Sequence, residues 1–293
     1  MAKKSSILLN LVDLGPKKIK DITATFGDLD QIFKAGVGEL SSIKGLSSTD
    51  IEKIISLRGS KELDRELELI EKEKVDCLDI FDKDYPDFLR EIANPPLVLY
   101  VKGDCRVLDK FSFAIVGSRT PTQYGLSMAA EFSYRLSALG IVIISGLARG
   151  IDTIAHRQAL KNNKTIAVLG SGLLNVYPKE NKGLACDISQ KGALISEFPL
   201  LKSPLKENFP RRNRIVSGLS KGVLVVEAAA RSGALITARL ACEQNREVFA
   251  MPGSIDSSLS KGAHRLIKEG AKLVDSLDDI LEELDIEAKI SES

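Results

Sequence analysis

From residue 111 to residue 274 the chain alternates short apolar runs with helix-length stretches. That alternation predicts a parallel sheet whose strands are joined by crossover helices. The apolar runs place strands at 113–116, 142–145, 166–169, 194–196, 223–226, 248–250 and 272–274. Helices are expected at 125–139, 154–161, 234–245 and 263–269. Seven strands at this spacing make an α/β protein of the doubly wound, Rossmann-like class.

Ahead of this region, residues 76–104 predict a strand, a short helix and a second strand, punctuated by Pro86 and the Pro95-Pro96 pair. Residues 60–74 predict a charged amphipathic helix acting as a linker, and residues 1–58 short helices joined by glycine-bearing turns. The expected division is therefore a helical unit over 1–72 and the sheet domain over 73–293. Within the helical unit, Ile43-Lys44-Gly45-Leu46-Ser47-Ser48 followed by Ile51 and Ile54 is patterned like a helix-hairpin-helix, whose helix start can meet a phosphate. Two readings of it stand: a DNA-backbone contact, or a protein-interaction or spacer module. Residues 275–287 carry seven acids and no base, and predict a last helix with Leu277, Ile280, Leu281 and Leu284 on its buried side.

Lys and Arg total 41 against 40 Asp and Glu, so any anion-binding surface must be local rather than a general coating. There is no run of eighteen apolar residues and no signal peptide, and the expectation is a cytoplasmic protein. The four cysteines, at 77, 105, 186 and 242, lack metal spacing and read as reduced, mostly buried small residues. Trp is absent and aromatics make up 5%, so each exposed ring carries information.

Ligands of a doubly wound sheet bind beyond the carboxyl ends of its strands. The loops there read Gly117-Ser118-Arg119-Thr120, Ser145-Gly146-Leu147-Ala148-Arg149-Gly150 and Gly170-Ser171-Gly172, the last running on to Tyr177-Pro178-Lys179-Glu180-Asn181. Small residues allow main-chain amides to close on an anion, and Arg119, Arg149 and Lys179 add cations. Phosphate is the expected ligand group. The first loop is not GxGxxG and no GxxxxGK[ST] is present, which argues against a dinucleotide site and a P-loop. Residues 201–221 hold six Lys or Arg and one Glu, centred on Phe209-Pro210-Arg211-Arg212-Asn213-Arg214. A ring beside guanidinium groups suits a single strand, with a base to stack and a backbone to neutralise. The competing reading makes Phe209 core and pairs the arginines with Glu197 and Glu227.

The segments IVGSRTPTQYG, SGLARGIDTIAHRQAL, TIAVLGSGLLNVYPKEN, FPRRNRIVSGLSKGVLVVEAAARSGALITARLA and REVFAMPGSI, in this order, resemble the DprA/Smf family of bacterial DNA-processing proteins. The similarity runs from about residue 84 to residue 274. The resemblance implies an extended Rossmann fold with a helical, SAM-like N-terminal unit. It implies a homodimer that binds single-stranded DNA and loads the recombinase RecA during natural transformation, with no cofactor, metal, membrane or catalytic role. Many members continue into a winged-helix domain after the sheet domain, and this sequence stops at Ser293. The DNA-binding set expected from the loops and the family together is Gly117, Ser118, Arg119, Arg149, Gly170, Gly172, Lys179, Lys206, Phe209, Arg211, Arg212 and Asn213. His264 and Leu273 match positions near the family dimer interface, and with Leu266 and Ile267 they are expected to offer the apolar surface of a symmetric dimer.

Asp152 and His156, four residues apart, share a helix face near Ser145. They read as a helix-start cap and a structural hydrogen bond rather than a triad. Glu197 and Glu227 end what read as neighbouring strands and are expected to hold the arginines of 211–214 and the amides of Ser232-Gly233. The alternative function is a nucleotide-processing enzyme, similar to the lysine-decarboxylase-like phosphoribohydrolases, although their PGGxGT loop is missing here.

Overall fold

The computed structural model describes residues 2–285. The chain begins with helices α1 (Lys4–Val12), α2 (Pro16–Phe26), α3 (Val37–Ser41), α4 (Ser48–Leu57) and α5 (Lys61–Lys72). There follow β1 (Asp76–Asp79), α6 (Asp87–Arg90), β2 (Val98–Gly103), β3 (Ser112–Val116), α7 (Gln123–Ala138), β4 (Val142–Ser145), α8 (Ile151–Ala159) and β5 (Thr165–Val168). Next come α9 (Lys182–Lys191), β6 (Ala193–Ser196), α10 (Asn208–Leu219), β7 (Gly222–Val225), α11 (Gly233–Glu243), β8 (Glu247–Ala250), α12 (Lys261–Lys268), β9 (Lys272–Leu273) and α13 (Asp278–Glu283).

The nine strands of the described residues join one sheet in the order β1-β2-β6-β5-β4-β3-β7-β8-β9. From β6 to β9 every pairing is parallel, whereas β1 and β2 extend the sheet antiparallel. The chain leaves β3 on one side through β4, β5 and β6, then returns to its other side through β7. That reversal opens a crevice at the carboxyl end of β3. Ala114 of β3 marks the point, facing Ile144 on one side and Val223 on the other.

Apolar residues bury both faces of the sheet. One face packs Ile215, Val216 and Leu219 of α10, Leu235, Ala238 and Ala241 of α11, and Ala263 and Leu266 of α12. The opposite face packs Phe132 and Leu136 of α7, Ile151 and Ala155 of α8, and Ile280 of α13. Leu281 and Leu284 lie against that second cluster half-buried, and the remainder of the predicted acidic helix, 286–287, lies outside the described residues.

The helical unit is not held at arm's length. Ile7, Leu8, Leu9, Ile54, Leu63 and Ile70 share one apolar cluster with Tyr100 of β2, Ala167 of β5, Ile188 of α9 and Leu194 of β6. The expected linker helix α5 is part of this packing: Glu66 is buried and its carboxylate accepts from Leu200 N–H at 2.8 Å. The hairpin-like turn at Gly45 (φ 88°) leads into α4, whose N-terminus is closed from within. Ser47 and Asp50 form a reciprocal capping box, and Lys18 reaches the same Asp50 oxygen at 2.7 Å. Burial would raise the Asp50 pKa, yet Lys18 and Ser47 hold it down to about 2. The amides of Ser47 and Asp50 are thereby satisfied within the unit, and a paired carboxylate stands at this helix start.

The cysteines differ from expectation: Cys77 is buried and Cys105 half-buried, but Cys186 and Cys242 are exposed on helix surfaces.

Candidate functional site

A cavity of about 800 Å³ opens in the crevice beside β3, at the carboxyl ends of the central strands. Its walls bring together seven of the predicted residues: Gly117, Ser118, Arg119, Lys206, Phe209, Arg212 and Asn213. Tyr177, Asp152, Arg231 and the Ser232–Ala234 start of α11 are also among the lining residues.

Helix α10 supplies one wall, and local chemistry explains how FPRRNR becomes helical. Pro210 is the third residue of α10, where its missing N–H has no intrahelical acceptor to lose. Phe209 is half-buried and its ring lies against Gly170. The ring of Tyr177 stands 5.6 Å away, tilted by 53°, and the Arg119 guanidinium lies 5.8 Å from the Phe209 centroid. Tyr177 is 42% exposed and was not among the residues expected to bind. The scarcity of aromatics in the chain was the signal that could have found it.

Arg212 forms the floor. It is 4% exposed, and its guanidinium donates to the carbonyls of Gly146 (2.5 Å) and Val168. A Cβ on residue 146 would collide with that guanidinium, so the glycine is what admits the arginine. Burial lowers the Arg212 pKa to about 10, against the opposing pull of Asp152, and the side chain stays charged at neutral pH. Burial likewise raises the Asp152 pKa, while Arg212 and two main-chain amides pull it down.

Several loop amides are engaged within the protein. Asp152 accepts from Gly146 N–H (3.1 Å) and Ala148 N–H (3.2 Å), Ser118 Oγ accepts from Thr120 N–H, and Gly172 N–H donates to the Lys202 carbonyl. These four donors are satisfied within the protein, and Arg119, Lys206, Arg212 and Arg231 line the cavity as cations.

The other predicted residues lie around the cavity rather than in it. Arg149 is exposed and paired with Glu180, and Lys179 is exposed beside that glutamate. Gly170 supports the Phe209 ring, and Gly172 packs against the Pro199 and Leu200 backbone. Arg211 turns toward Glu197 and Asp13. Of the four candidate interface residues, Leu266 is buried, Ile267 and His264 are half-buried, and His264 Nε2 contacts the Gly253 carbonyl at 3.0 Å. Leu273, 41% exposed, is the one that offers apolar surface at the β9 edge.

The carboxylates follow the expectation in part. Glu197 does hold arginines: Arg214 NH1 at 2.6 Å and Arg211 NH2 at 3.0 Å. Glu227 does not reach Ser232-Gly233. Its oxygens accept from Thr122 N–H (2.9 Å) and Thr122 Oγ (2.5 Å), which fixes the start of α7. Nor do the two glutamates end neighbouring strands, since β5, β4 and β3 lie between β6 and β7. Ser145 is fully buried with its hydroxyl donated to the Ile115 carbonyl, and His156 Nδ1 contacts Thr165 Oγ at 2.8 Å. Burial, reinforced by the Arg212 charge, pushes the His156 pKa down to about 3. These contacts agree with the structural reading of Asp152 and His156.

A sequence profile for DNA recombination-mediator protein A matches residues 76–285. Protein Smf of Escherichia coli K12 is 53% identical over 202 residues, 68% of this chain, and the match spans about half of that protein (54%). DNA processing protein DprA of Bacillus subtilis is 43% identical over 224 residues, covering 76% of this chain and 75% of that protein. Among solved structures, DNA processing protein A from Streptococcus pneumoniae superposes with a TM-score of 0.86 at 39% identity, over 96% of this chain and 98% of that one. DNA processing protein A from Helicobacter pylori, described for its single-stranded DNA binding mode, gives a TM-score of 0.66 at 31% identity, over 73% and 97%.

Proposed function

The chain belongs to the DNA recombination-mediator protein A family, and on that premise we propose that it binds single-stranded DNA as a recombination mediator. The observation that carries the reading is the cavity beside β3, where the rings of Phe209 and Tyr177 stand among Arg119, Lys206 and Arg212. An unstacked base can lie on a ring while the cations neutralise its backbone, and neither contact depends on base identity. A stacked duplex presents no free base face to such a recess.

In this reading Gly117, Ser118, Arg119, Lys206, Phe209, Arg212 and Asn213 contact the strand, with Arg149 and Lys179 along its approach. The protein acts in the cytoplasm as a homodimer, handing the strand to the recombinase RecA during natural transformation. Among the described residues no helix is long and apolar enough to cross a membrane. In this reading the role is non-enzymatic and without a cofactor; Glu227, the carboxylate a phosphoribohydrolase reading would use, accepts from Thr122 N–H and Oγ.

An electrophoretic shift comparing single-stranded and duplex oligonucleotides of one sequence tests this. Single strands should bind far more tightly, with little difference between base compositions. Equal affinity for both forms, or hydrolysis of nucleoside monophosphates by the same sample, would overturn it.

A further inference from the structure

Arg211 lies on α10 between Pro210 and Arg212, both of which line the cavity, yet it is turned to a different set of partners. Its Nε and NH2 meet Glu197 Oε2 at 3.1 and 3.0 Å, and its NH1 donates to Asp13 Oδ1 at 2.8 Å. Arg214 approaches the same Glu197 through both terminal nitrogens, at 2.6 and 2.7 Å. Two guanidinium groups and two carboxylates thus sum to no net charge. The strongest cation cluster in the sequence is neutralised at two of its three arginines.

The two carboxylates are not equivalent. Glu197 is 2% exposed and gripped by Arg214, so it has nowhere to go. Asp13 is 58% exposed and its ion pair is open to water, where such pairs hold weakly and yield to competing anions. Asp13 is also delivered by a rigid element. It caps α1 in the left-handed conformation (φ 64°), and α1 is fixed by buried Leu8 and Leu9 and by Asn10, which donates to the Glu197 carbonyl at 3.2 Å. The helical unit therefore places one exchangeable carboxylate on the helix that walls the cavity.

We propose that Asp13 sets the strength of DNA binding by masking Arg211, so that a backbone phosphate and Asp13 compete for one guanidinium. The inference rests on the single-strand reading above and gives the helical unit a part in it. Arg211 is then a cation in reserve, recruited when a strand extends past the cavity mouth toward α1.

Asp13→Asn is the discriminating substitution, because asparagine keeps the left-handed backbone and removes the charge. Asp13→Gly, which also accepts that conformation, serves as the second variant. A labelled oligothymidylate is titrated by anisotropy over a salt series with the wild type, each variant, and Asp13→Asn combined with Arg211→Gln. One extra phosphate contact on a single strand steepens the salt slope by about 0.7, which is about fivefold tighter binding at about 0.1 M salt. The double variant should lose that gain and return to the wild-type slope. An unchanged or weaker Asp13→Asn complex overturns the proposal, and so does a gain that survives Arg211→Gln, which would mark a general charge effect. A wild type that fails to bind single strands sinks the parent reading, and this inference with it.

Discussion

The ring of Phe209 rests on the backbone of Gly170, so closely that a Cβ on residue 170 would come within 2.7 Å of the ring. Ring and loop are therefore one device. In the proposed complex the loop after β5 sets the height of the ring against a base, so a methyl group there should act on binding through Phe209.

Phe209→Ala should cost about 1–3 kcal/mol of single-strand affinity with the salt slope unchanged, because a stacked base is lost and no counterion is involved. Gly170→Ala should move affinity in the same direction by displacing the ring. Because Phe209 is half-buried, its loss should lower stability by less than the about 3–5 kcal/mol typical of a core phenylalanine. Calorimetric melting and anisotropy on one sample decide this; a large loss of melting temperature would return the ring to the core.

Arg119→Ala and Lys206→Ala should each flatten the salt dependence of log K by about 0.7 and weaken all sequences alike. Arg149→Ala should change the slope less, since that side chain is already paired with Glu180 outside the cavity. A slope measured between low and moderate salt for the three variants separates these outcomes.

Glu197→Gln leaves Arg214, whose side chain is only 10% exposed, without its counter-charge. Removing one member of a buried pair costs about 3–5 kcal/mol. Urea unfolding should show that loss as a lower midpoint with an unchanged denaturant slope. A fall of less than about 1 kcal/mol would mean that the quartet contributes little to the fold.

The depressed His156 pKa has a signed consequence for acid stability. The unfolded chain takes up its proton near pH 6.5 while the folded chain resists to about 3. The stabilisation from the neutral ring is complete above about pH 6.5 and is lost on acidification, at about 1.4 kcal/mol per pH unit. Glu66 and Asp79, whose pKa values burial raises, act in the opposite sense at lower pH. The measurement is therefore a difference: between about pH 6.5 and 5.5, stability should fall more steeply in the wild type than in His156→Asn. Parallel curves would contradict it.

Leu273→Arg tests the homodimer. The residue is exposed on the edge strand β9, and a two-fold contact there would bury the new charge twice. Light scattering should report a monomer. A variant that stays dimeric moves the interface elsewhere.

Much of the sheet was legible because parallel strands covered on both faces read as plain apolar runs. The predicted strand starts fall one residue late at Ser112, Thr165, Ala193, Gly222 and Glu247, where a polar, small or charged residue opens the strand. Helix α10 was harder to see, since Pro210 reads as a breaker until it is placed in a first turn. The four residues 211–214 look like one basic patch in sequence. On a helix each step turns about 100°, so Arg211 and Arg214 fall together toward Glu197 while Arg212 and Asn213 face the cavity. The Asp13 partner lies 198 residues from Arg211, beyond the reach of any local pattern. The carboxylate of Asp152 takes up the amides of Gly146 and Ala148, a contact that the sequence shows only as an acidic residue at a helix start.

The apolar cluster that runs from α1 through α5 into β2, β5 and β6 bears on how the molecule opens. Detaching the helical unit would bare Tyr100, Ala167 and Leu194 to water along with its own leucines and isoleucines. Partial detachment is thus costly, and the amides of α1 should exchange with deuterium on the slow, cooperative timescale of the sheet, not on that of a tethered module.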